Sequence, residues 1–124
     1  MLEGAGNQAN KPVRERSPNP VPLSPEVYLE IASLRVLDGK EAAFEAAIET
    51  ARTEVYAKVQ GCLSTQLRRG VERPNEFVLL IEWATLEDHT ERFPKTPEFQ
   101  AFRGLISGLL AGAPTTAHWR SVTS

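Results

Sequence analysis

The first regular pattern of hydrophobic and polar positions begins near residue 27. Apolar and polar residues alternate along VYLEIASLRV (27–36), which predicts a strand ending at the Asp38-Gly39 turn. Asp38 with Glu41 three residues later resembles a capping box, the signal of a helix start. Apolar residues at three- and four-residue spacing then predict a helix running to about Lys58. Its apolar stripe consists of Phe44, Ala47, Ile48, Ala51, Val55 and Val59.

Two more strands follow this helix. CLSTQLRR (62–69) alternates like the first strand, and a turn containing Pro74 separates it from EFVLLIEWA (76–84). Because 76–84 is apolar on both faces, with Glu82 as the interruption, we expect a strand that is buried on both sides.

The last third of the chain predicts helices and a closing strand. Thr85 with Asp88 forms a second capping box before a short helix that Pro94 ends. Thr96-Pro97 begins another helix, since proline is well tolerated at the first helical position. Its stripe is Phe99, Phe102, Ile106, Leu109 and Leu110, and Gly112 and Pro114 are expected to stop it before the strand TTAHWRSV (115–122).

The order of these elements indicates an α+β fold. Strand, helix, strand, strand, helices, strand is the βαββαβ ferredoxin-like plan, a four-stranded antiparallel sheet with helices on one face. The second apolar face of 76–84 would meet water in a monomer. We therefore expect a homodimer in which two sheets pack into a dimeric α+β barrel. The alternative is that the N-terminal segment covers this face.

Residues 1–25 differ in composition from the rest of the chain. They contain five of the nine prolines and few branched apolar side chains. Burial of so few apolar side chains cannot offset the conformational entropy that the segment would lose on ordering. We expect an extended N-terminal arm, which either clasps a neighbouring subunit or packs on its own domain, followed by one domain over 26–124.

Composition and charge disfavour or exclude several kinds of function. The 124 residues carry a net charge of −2 with both signs interspersed, which disfavours nucleic acid as a partner. RNA binding on the sheet is also disfavoured, because FVLLIEW (77–83) offers aliphatic residues and an acid instead of exposed aromatic and basic ones. Cys62 is the single cysteine, so an intrachain disulfide and a zinc–cysteine cluster are excluded. The chain has neither an apolar run of about 20 residues nor a secretory signal, so we expect a cytoplasmic protein without membrane contact.

Two stretches carry a resemblance to a known family. The segments "GCLSTQL" (61–67) and "FVLLIEWATLEDHTERFPKTPEFQAFR" (77–103) resemble the antibiotic biosynthesis monooxygenase family, and the likeness extends from Val27 to Val122. The resemblance implies ferredoxin-like protomers that form dimeric α+β barrels. It also implies a cofactor-independent monooxygenase that oxidises a small aromatic or quinol-like molecule with O2. The alternative is a small-ligand binding or sensing module without enzymatic activity on the same fold.

The haem-degrading branch of the family is a poor match. The position of its iron-ligating histidine is Arg103 here, and its second tryptophan falls at about Phe93. The first strand, 27–36, has no asparagine where that branch has one. We therefore expect no haem, and the resemblance to the quinol- or anthrone-oxidising branch implies that no other cofactor and no metal is needed.

Three residues are candidates for catalysis. His89 can transfer protons near neutral pH, with a partly exposed packing histidine as the alternative. Trp83 ends its strand where a pocket mouth could open, with a simple core residue as the alternative. Arg68, on one face with Ser64 and Gln66, could stabilise an anion, or be a solvated or interface arginine. The expected apolar substrate pocket, whose members could each be simple core, consists of Phe44, Ile48, Phe77, Leu79, Ile81, Phe99 and Phe102, with Arg103 at the rim.

Two strands carry polar residues on their predicted faces. Tyr28 and Glu30 share one face of the first strand, and a buried Glu30 would need a partner such as Arg68 or Arg120. On the last strand His118 and Arg120 share one face. Trp119 takes the other, and either set could line the dimer interface.

Overall fold

The structure, a computed structural model, describes residues 27–122. The strands are β1 (Tyr28–Arg35), β2 (Cys62–Arg69), β3 (Glu76–Trp83) and β4 (Thr115–Arg120), and the α-helices are α1 (Glu41–Glu54) and α2 (Pro97–Ile106). A 3-10 turn at Tyr56–Lys58 follows α1, and a π-helical turn (Asp88–Arg92) and a second 3-10 turn (Phe93–Lys95) lie between β3 and α2. The predicted arm, residues 1–25, lies outside the described residues.

The four strands form one antiparallel sheet in the order β2-β3-β1-β4. With the helices in the crossings between β1 and β2 and between β3 and β4, this is the ferredoxin-like α+β fold that the element order predicts. The central pair, β1 and β3, brings Glu30 opposite Ile81, Ala32 opposite Leu79 and Leu34 opposite Phe77. One face of the sheet, the inner face, therefore carries these alternate residues toward the helices.

The hydrophobic core lies between the inner face and α1. Helix α1 buries Phe44, Ile48 and Ala51, and β3 buries every second residue from Phe77 to Trp83. The phenyl rings of Phe44 and Phe77 are 4.9 Å apart between centroids. The fully buried large side chains are Trp83, Phe44, Ile81 and Val36.

The outer face of the sheet is less covered. On β3, Val78 and Leu80 are half-buried and Glu82 is exposed, so one chain buries one side of this strand, and the predicted burial of the other side depends on the dimer contact. The reason is that the helices cover the inner face alone. Trp119 on β4 belongs to the outer face and is 57% exposed.

The start of α1 differs from the prediction. Lys40 takes the N-cap position without a side-chain cap, so the predicted capping box at Asp38 is wrong. The Glu41 carboxylate instead accepts a hydrogen bond of 3.0 Å from the Gly39 N–H. The helix ends at Glu54, before the expected Lys58, because the chain tightens into a 3-10 turn there.

The cap predicted at Thr85 and the helix start predicted at Thr96-Pro97 are confirmed, and the predicted end of α2 is wrong. The Thr85 hydroxyl accepts from the Asp88 N–H at 3.0 Å, and the Thr96 hydroxyl accepts from the Phe99 N–H at 3.1 Å. Helix α2 ends at Ile106, well before Gly112, because Gly108 takes a left-handed conformation with φ 79°. Leu109 and Leu110 still pack against the core, but from the loop that follows.

Within residues 27–122, the helices are too short or too polar to cross a membrane.

Candidate functional site

Four side chains from four separate segments meet on the inner face of the sheet. Glu30 comes from β1, Trp83 from the end of β3, His89 from the π-helical turn, and His118 from β4. We call these four residues the Glu30 cluster. Antiparallel pairing places Glu30 directly opposite His118 on one side and Ile81 on the other.

The cluster is joined by short polar contacts. The Trp83 Nε1–H donates to Glu30 Oε1 at 3.0 Å, and His89 Nε2 lies 3.3 Å from the same oxygen. The other ring nitrogen of His89, Nδ1, is 2.7 Å from His118 Nε2. The His89 ring also stacks on the Trp83 ring, with centroids 5.0 Å apart and planes inclined by 18°. His89 therefore bridges Glu30 and His118 while resting on an aromatic surface.

The cluster runs from the interior to the surface. Trp83 is 0% exposed and Glu30 is 6% exposed. The His89 side chain is 17% exposed, and His118 is exposed. A row of titratable groups thus leads from a buried carboxyl to solvent.

Burial shifts the pKa values of Glu30 and His89. Loss of hydration raises the pKa of Glu30 to about 7, against the opposing effect of the Trp83 hydrogen bond. Burial, assisted by the nearby His118, lowers the pKa of His89 to about 4. At neutral pH His89 is therefore an uncharged imidazole, and the Glu30 carboxyl exchanges a proton near pH 7.

Two further groups near Glu30 remain protonated at neutral pH. Burial is the main reason why the pKa of Tyr56 lies far above its usual value and why that of Cys62 rises to about 11. The negative charge of Glu30 adds to both shifts.

Contacts made by the residues just before His89 hold it against the sheet. Thr85 caps the segment, and the adjacent Asp88 is buried and paired with Arg92. The Asp88 carboxylate packs against Gly61, where an added Cβ would overlap it, and Gly61 has a φ of 82°. The π-helical turn that results is a feature often found at functional sites.

The structure brings together two of the three predicted catalytic residues. Trp83 and His89 are in contact, whereas Arg68 pairs with Val78 on the outer face and does not join them. The expectation that Arg68 or Arg120 would partner Glu30 is wrong, because Trp83 and His89 fill that role. Arg120 instead lies opposite Tyr28.

Glu30 and His118 are not among the residues that the sequence predicts for the site. The available signal was a lone acid on the inner face of β1 and a histidine on one face of the last strand. Joining the two required the pairing of β1 with β4, which the sequence alone does not show.

The predicted pocket residues fall into two groups. Most are packed in the core: Phe44, Ile48, Phe77, Leu79 and Ile81. Phe99 and Phe102 are half-buried, and the exposed Arg103 guanidinium lies 5.7 Å from the centre of the Phe99 ring.

Two open clefts lie away from the Glu30 cluster. One of about 380 Å³ runs between α1 and β2 and is bordered by Ile48, Tyr56 and Leu79. The other, of about 450 Å³, lies at the far end of the sheet and is lined by Arg35, Arg68 and Phe77 among others. Since neither is lined by Glu30 or His89, cleft size alone does not identify the chemical site.

No three His, Cys, Asp or Glu side chains within residues 27–122 are arranged to hold a metal ion. Glu30, His89 and His118 lie in a row, with His89 offering one ring nitrogen to each neighbour.

The fold and site together define a ferredoxin-like α+β domain in which an acid–imidazole row leads from the interior to the surface. The sequence profile of the antibiotic biosynthesis monooxygenase family matches residues 27–105. The chain therefore belongs to this family, as the resemblance of its central segments implied.

Individual relatives agree with this assignment. The chain is 33% identical over 93 residues to the Bacillus subtilis (strain 168) protein YczJ, a match that covers 75% of this chain and 97% of that one. A crystal structure from Bordetella bronchiseptica, described as a candidate antibiotic biosynthesis monooxygenase, superposes with a TM-score of 0.76 at 33% identity, covering 79% and 99% of the two chains. A protein from Caulobacter crescentus CB15, described in the same way, has a TM-score of 0.68 at 26% identity, covering 77% and 90%.

Proposed function

We propose that this protein is a cofactor-independent monooxygenase that oxidises a small aromatic or quinol-like molecule with O2. The observation that carries the proposal is the stack of His89 on Trp83 beside the buried Glu30 carboxyl. This arrangement holds proton-accepting groups against a buried aromatic ring in a largely apolar setting. Membership of the monooxygenase family supports the same reaction type.

The reaction needs no partner other than O2. A substrate C–H or O–H group loses a proton, and the electron-rich anion gives one electron to O2. The two radicals then join through a new C–O bond, and the peroxide anion takes up a proton. Loss of water from a CH–OOH group leaves a carbonyl. One oxygen atom enters the product and the other leaves as water, so the substrate supplies all four electrons.

Several residues at and beside the Glu30 cluster have a role in this scheme. His89 moves the proton, because its ring nitrogens lie 3.3 Å from Glu30 Oε1 and 2.7 Å from His118 Nε2. Trp83 fixes the His89 ring by stacking. Phe99 and Phe102 supply apolar contacts, with Arg103 at the edge. Arg68 receives no role within the same protomer, because the sheet separates it from His89.

We further propose that two chains associate through the outer faces of their sheets. The central part of this face carries Leu29, Ile31, Val78 and Leu80, which are half-buried within one chain. Apolar residues grouped in this way mark an interaction surface more often than a solvated one.

Oxygen consumption tests the proposed function. Metal-stripped protein is assayed with a panel of anthrones, quinols and catechols, together with His89→Ala. The control is Glu91→Ala, because Glu91 is an exposed residue of the same π-helical turn. We expect uptake by the wild type and by the control, and a rate lower by roughly 100-fold or more in His89→Ala.

The other outcomes are equally informative. A wild-type protein that consumes no oxygen with any of these compounds would overturn the proposed function. Binding of such a compound without turnover would then favour a ligand-binding module. Unchanged uptake in His89→Ala would keep the oxygenase and remove His89 from its mechanism.

A further inference from the structure

We propose that His118, His89 and Glu30 form a proton relay, in which His118 takes the substrate proton at the surface and Glu30 holds it in the interior. This inference rests on the proposed oxygenase function and adds to it the proton acceptor and the route. It makes His118 the catalytic residue that meets the substrate. His89 connects His118 to Glu30, and Glu30 acts on the substrate proton through the two histidines.

The geometry supplies a continuous path. His118 Nε2 and His89 Nδ1 are 2.7 Å apart, a normal hydrogen-bonding distance. His89 Nε2 is 3.3 Å from Glu30 Oε1. The second distance is long for a hydrogen bond, as is common at catalytic contacts before substrate binds. The stack on Trp83 fixes the ring plane of His89 between its two partners.

The hydrogen-bond partners of His89 and His118 determine which ring nitrogen of each carries the proton. A Glu30 carboxylate accepts from Trp83 and favours a proton on His89 Nε2. His89 Nδ1 then carries a lone pair and must accept from His118 Nε2–H. This leaves Nδ1 as the basic nitrogen of His118, on an exposed residue that a substrate can reach.

Proton transfer along this row conserves charge at both histidines. The substrate proton bonds to His118 Nδ1 while the proton on His118 Nε2 moves to His89 Nδ1. The proton on His89 Nε2 moves to Glu30. The products are a substrate anion, two neutral imidazoles and a carboxylic acid. The same steps in reverse return the proton to the peroxide anion that forms after reaction with O2.

The surroundings suit Glu30 as the proton store. Its pKa of about 7, raised by burial, allows uptake and release near neutral pH. Because the pKa of His89 is lowered to about 4, this ring passes the proton on and does not remain protonated. Tyr56, after α1, and Cys62, at the start of β2, stay protonated and do not compete as acceptors. From α2, Phe102 presents an aromatic ring to Tyr56 and no charge.

The test compares kcat, KM and pH profile for oxygen uptake in Glu30→Gln, His118→Ala and the wild type. We expect the wild-type kcat to rise with pH through about 7, because Glu30 must be ionised to accept a proton. Glu30→Gln should lose this rise and roughly 100-fold in kcat, with little change in KM. Glu91→Gln, which removes an exposed carboxylate nearby, should keep the wild-type profile.

Chemical rescue and NMR separate the relay from a structural role. Added imidazole should restore part of the activity of His118→Ala, since that site is open to solvent, and should not rescue Glu30→Gln. Nitrogen NMR of the resting wild-type protein at pH 8 should show both histidines protonated at Nε2.

The relay and the proposed function can fail separately. Oxygen uptake with an unaltered pH profile in Glu30→Gln, or a His89 protonated at Nδ1 in the resting state, would overturn the relay and leave the oxygenase. A wild-type protein without oxygen uptake would overturn both the proposed function and the relay as its proton route.

Discussion

Glu30 is a carboxyl group placed in an apolar interior with few donors around it. It receives the Trp83 N–H at 3.0 Å and lies 3.3 Å from the uncharged His89. A buried carboxylate is costly unless several donors or a fixed cation compensate it. The residue therefore keeps its proton to higher pH than an ordinary glutamate. This property suits the proton storage proposed for Glu30, and ionisation of the group reduces stability.

Glu30→Gln should raise the free energy of unfolding at alkaline pH. The pKa of Glu30 is raised from 4.5 to about 7, so between these values the folded protein keeps a proton that the unfolded chain has lost. Wild-type stability therefore falls by this contribution as pH rises through that window, and glutamine avoids the loss. The variant should match the wild type near pH 4 and exceed it by roughly 3 kcal/mol at pH 8.

Urea unfolding of both proteins at pH 4, 6 and 8 measures this difference. The lowered pKa of His89 makes stability fall as pH drops from 6.5 toward 4, but this contribution is present in both proteins and cancels in the comparison. A constant difference across the pH range would contradict the assigned ionisation of Glu30.

Among the elements, the turn before β2 and the π-helical turn depend on each other. Gly61 adopts φ 82° and leaves room for the Asp88 carboxylate, which a Cβ would displace. The Ala84 N–H also donates to the Gly61 carbonyl at 2.8 Å, tying the end of β3 to the same turn. The position of His89, one residue after Asp88, therefore depends on a glycine 28 positions earlier in the chain.

Gly61→Ala should destabilise the protein more than Gly39→Ala. Both glycines have positive φ, so both variants carry a strain of about 1–2 kcal/mol. Gly39 has open space around its Cβ position, whereas Gly61 would drive Asp88 from its buried place and add roughly 1–3 kcal/mol. Thermal and urea unfolding of the two variants give the comparison, and equal losses would show that the Asp88 contact is unimportant.

At the scale of the whole molecule, the two faces of the sheet carry different sets of side chains. The inner face carries the core and the Glu30 cluster, and the outer face carries a half-buried aliphatic group with Trp119 at its edge. Because Arg68 lies on the outer face, it would belong to the contact between chains if the proposed dimer forms.

Leu80→Asp should convert the proposed dimer into a monomer. Leu80 lies opposite Ile31 at the centre of the outer face, and a charge there would be buried without a partner in a sheet-to-sheet contact. Val71→Asp is the control, since Val71 is 88% exposed in the turn between β2 and β3. Sedimentation velocity should show dimers for the wild type and the control. A monomeric wild type at micromolar concentration would refute the dimer.

Local sequence determined the elements of this protein and their order. The alternating stretches became β1 and β2 almost to the residue. The cap at Thr85 and the helix start at Thr96-Pro97 form as predicted, because these signals act over three or four neighbouring positions. The end of α2 was misjudged because Gly108 breaks the helix while the apolar stripe continues in the loop.

The tertiary structure alone decided the site. Trp83 and His89 were identifiable from sequence, but Glu30 and His118 are 88 positions apart and meet through the pairing of β1 with β4. The π-helical turn also sets the direction of the His89 ring, which a regular helical period does not anticipate. Strand register and ring direction follow from packing between distant segments, so they appear only when the whole domain is folded.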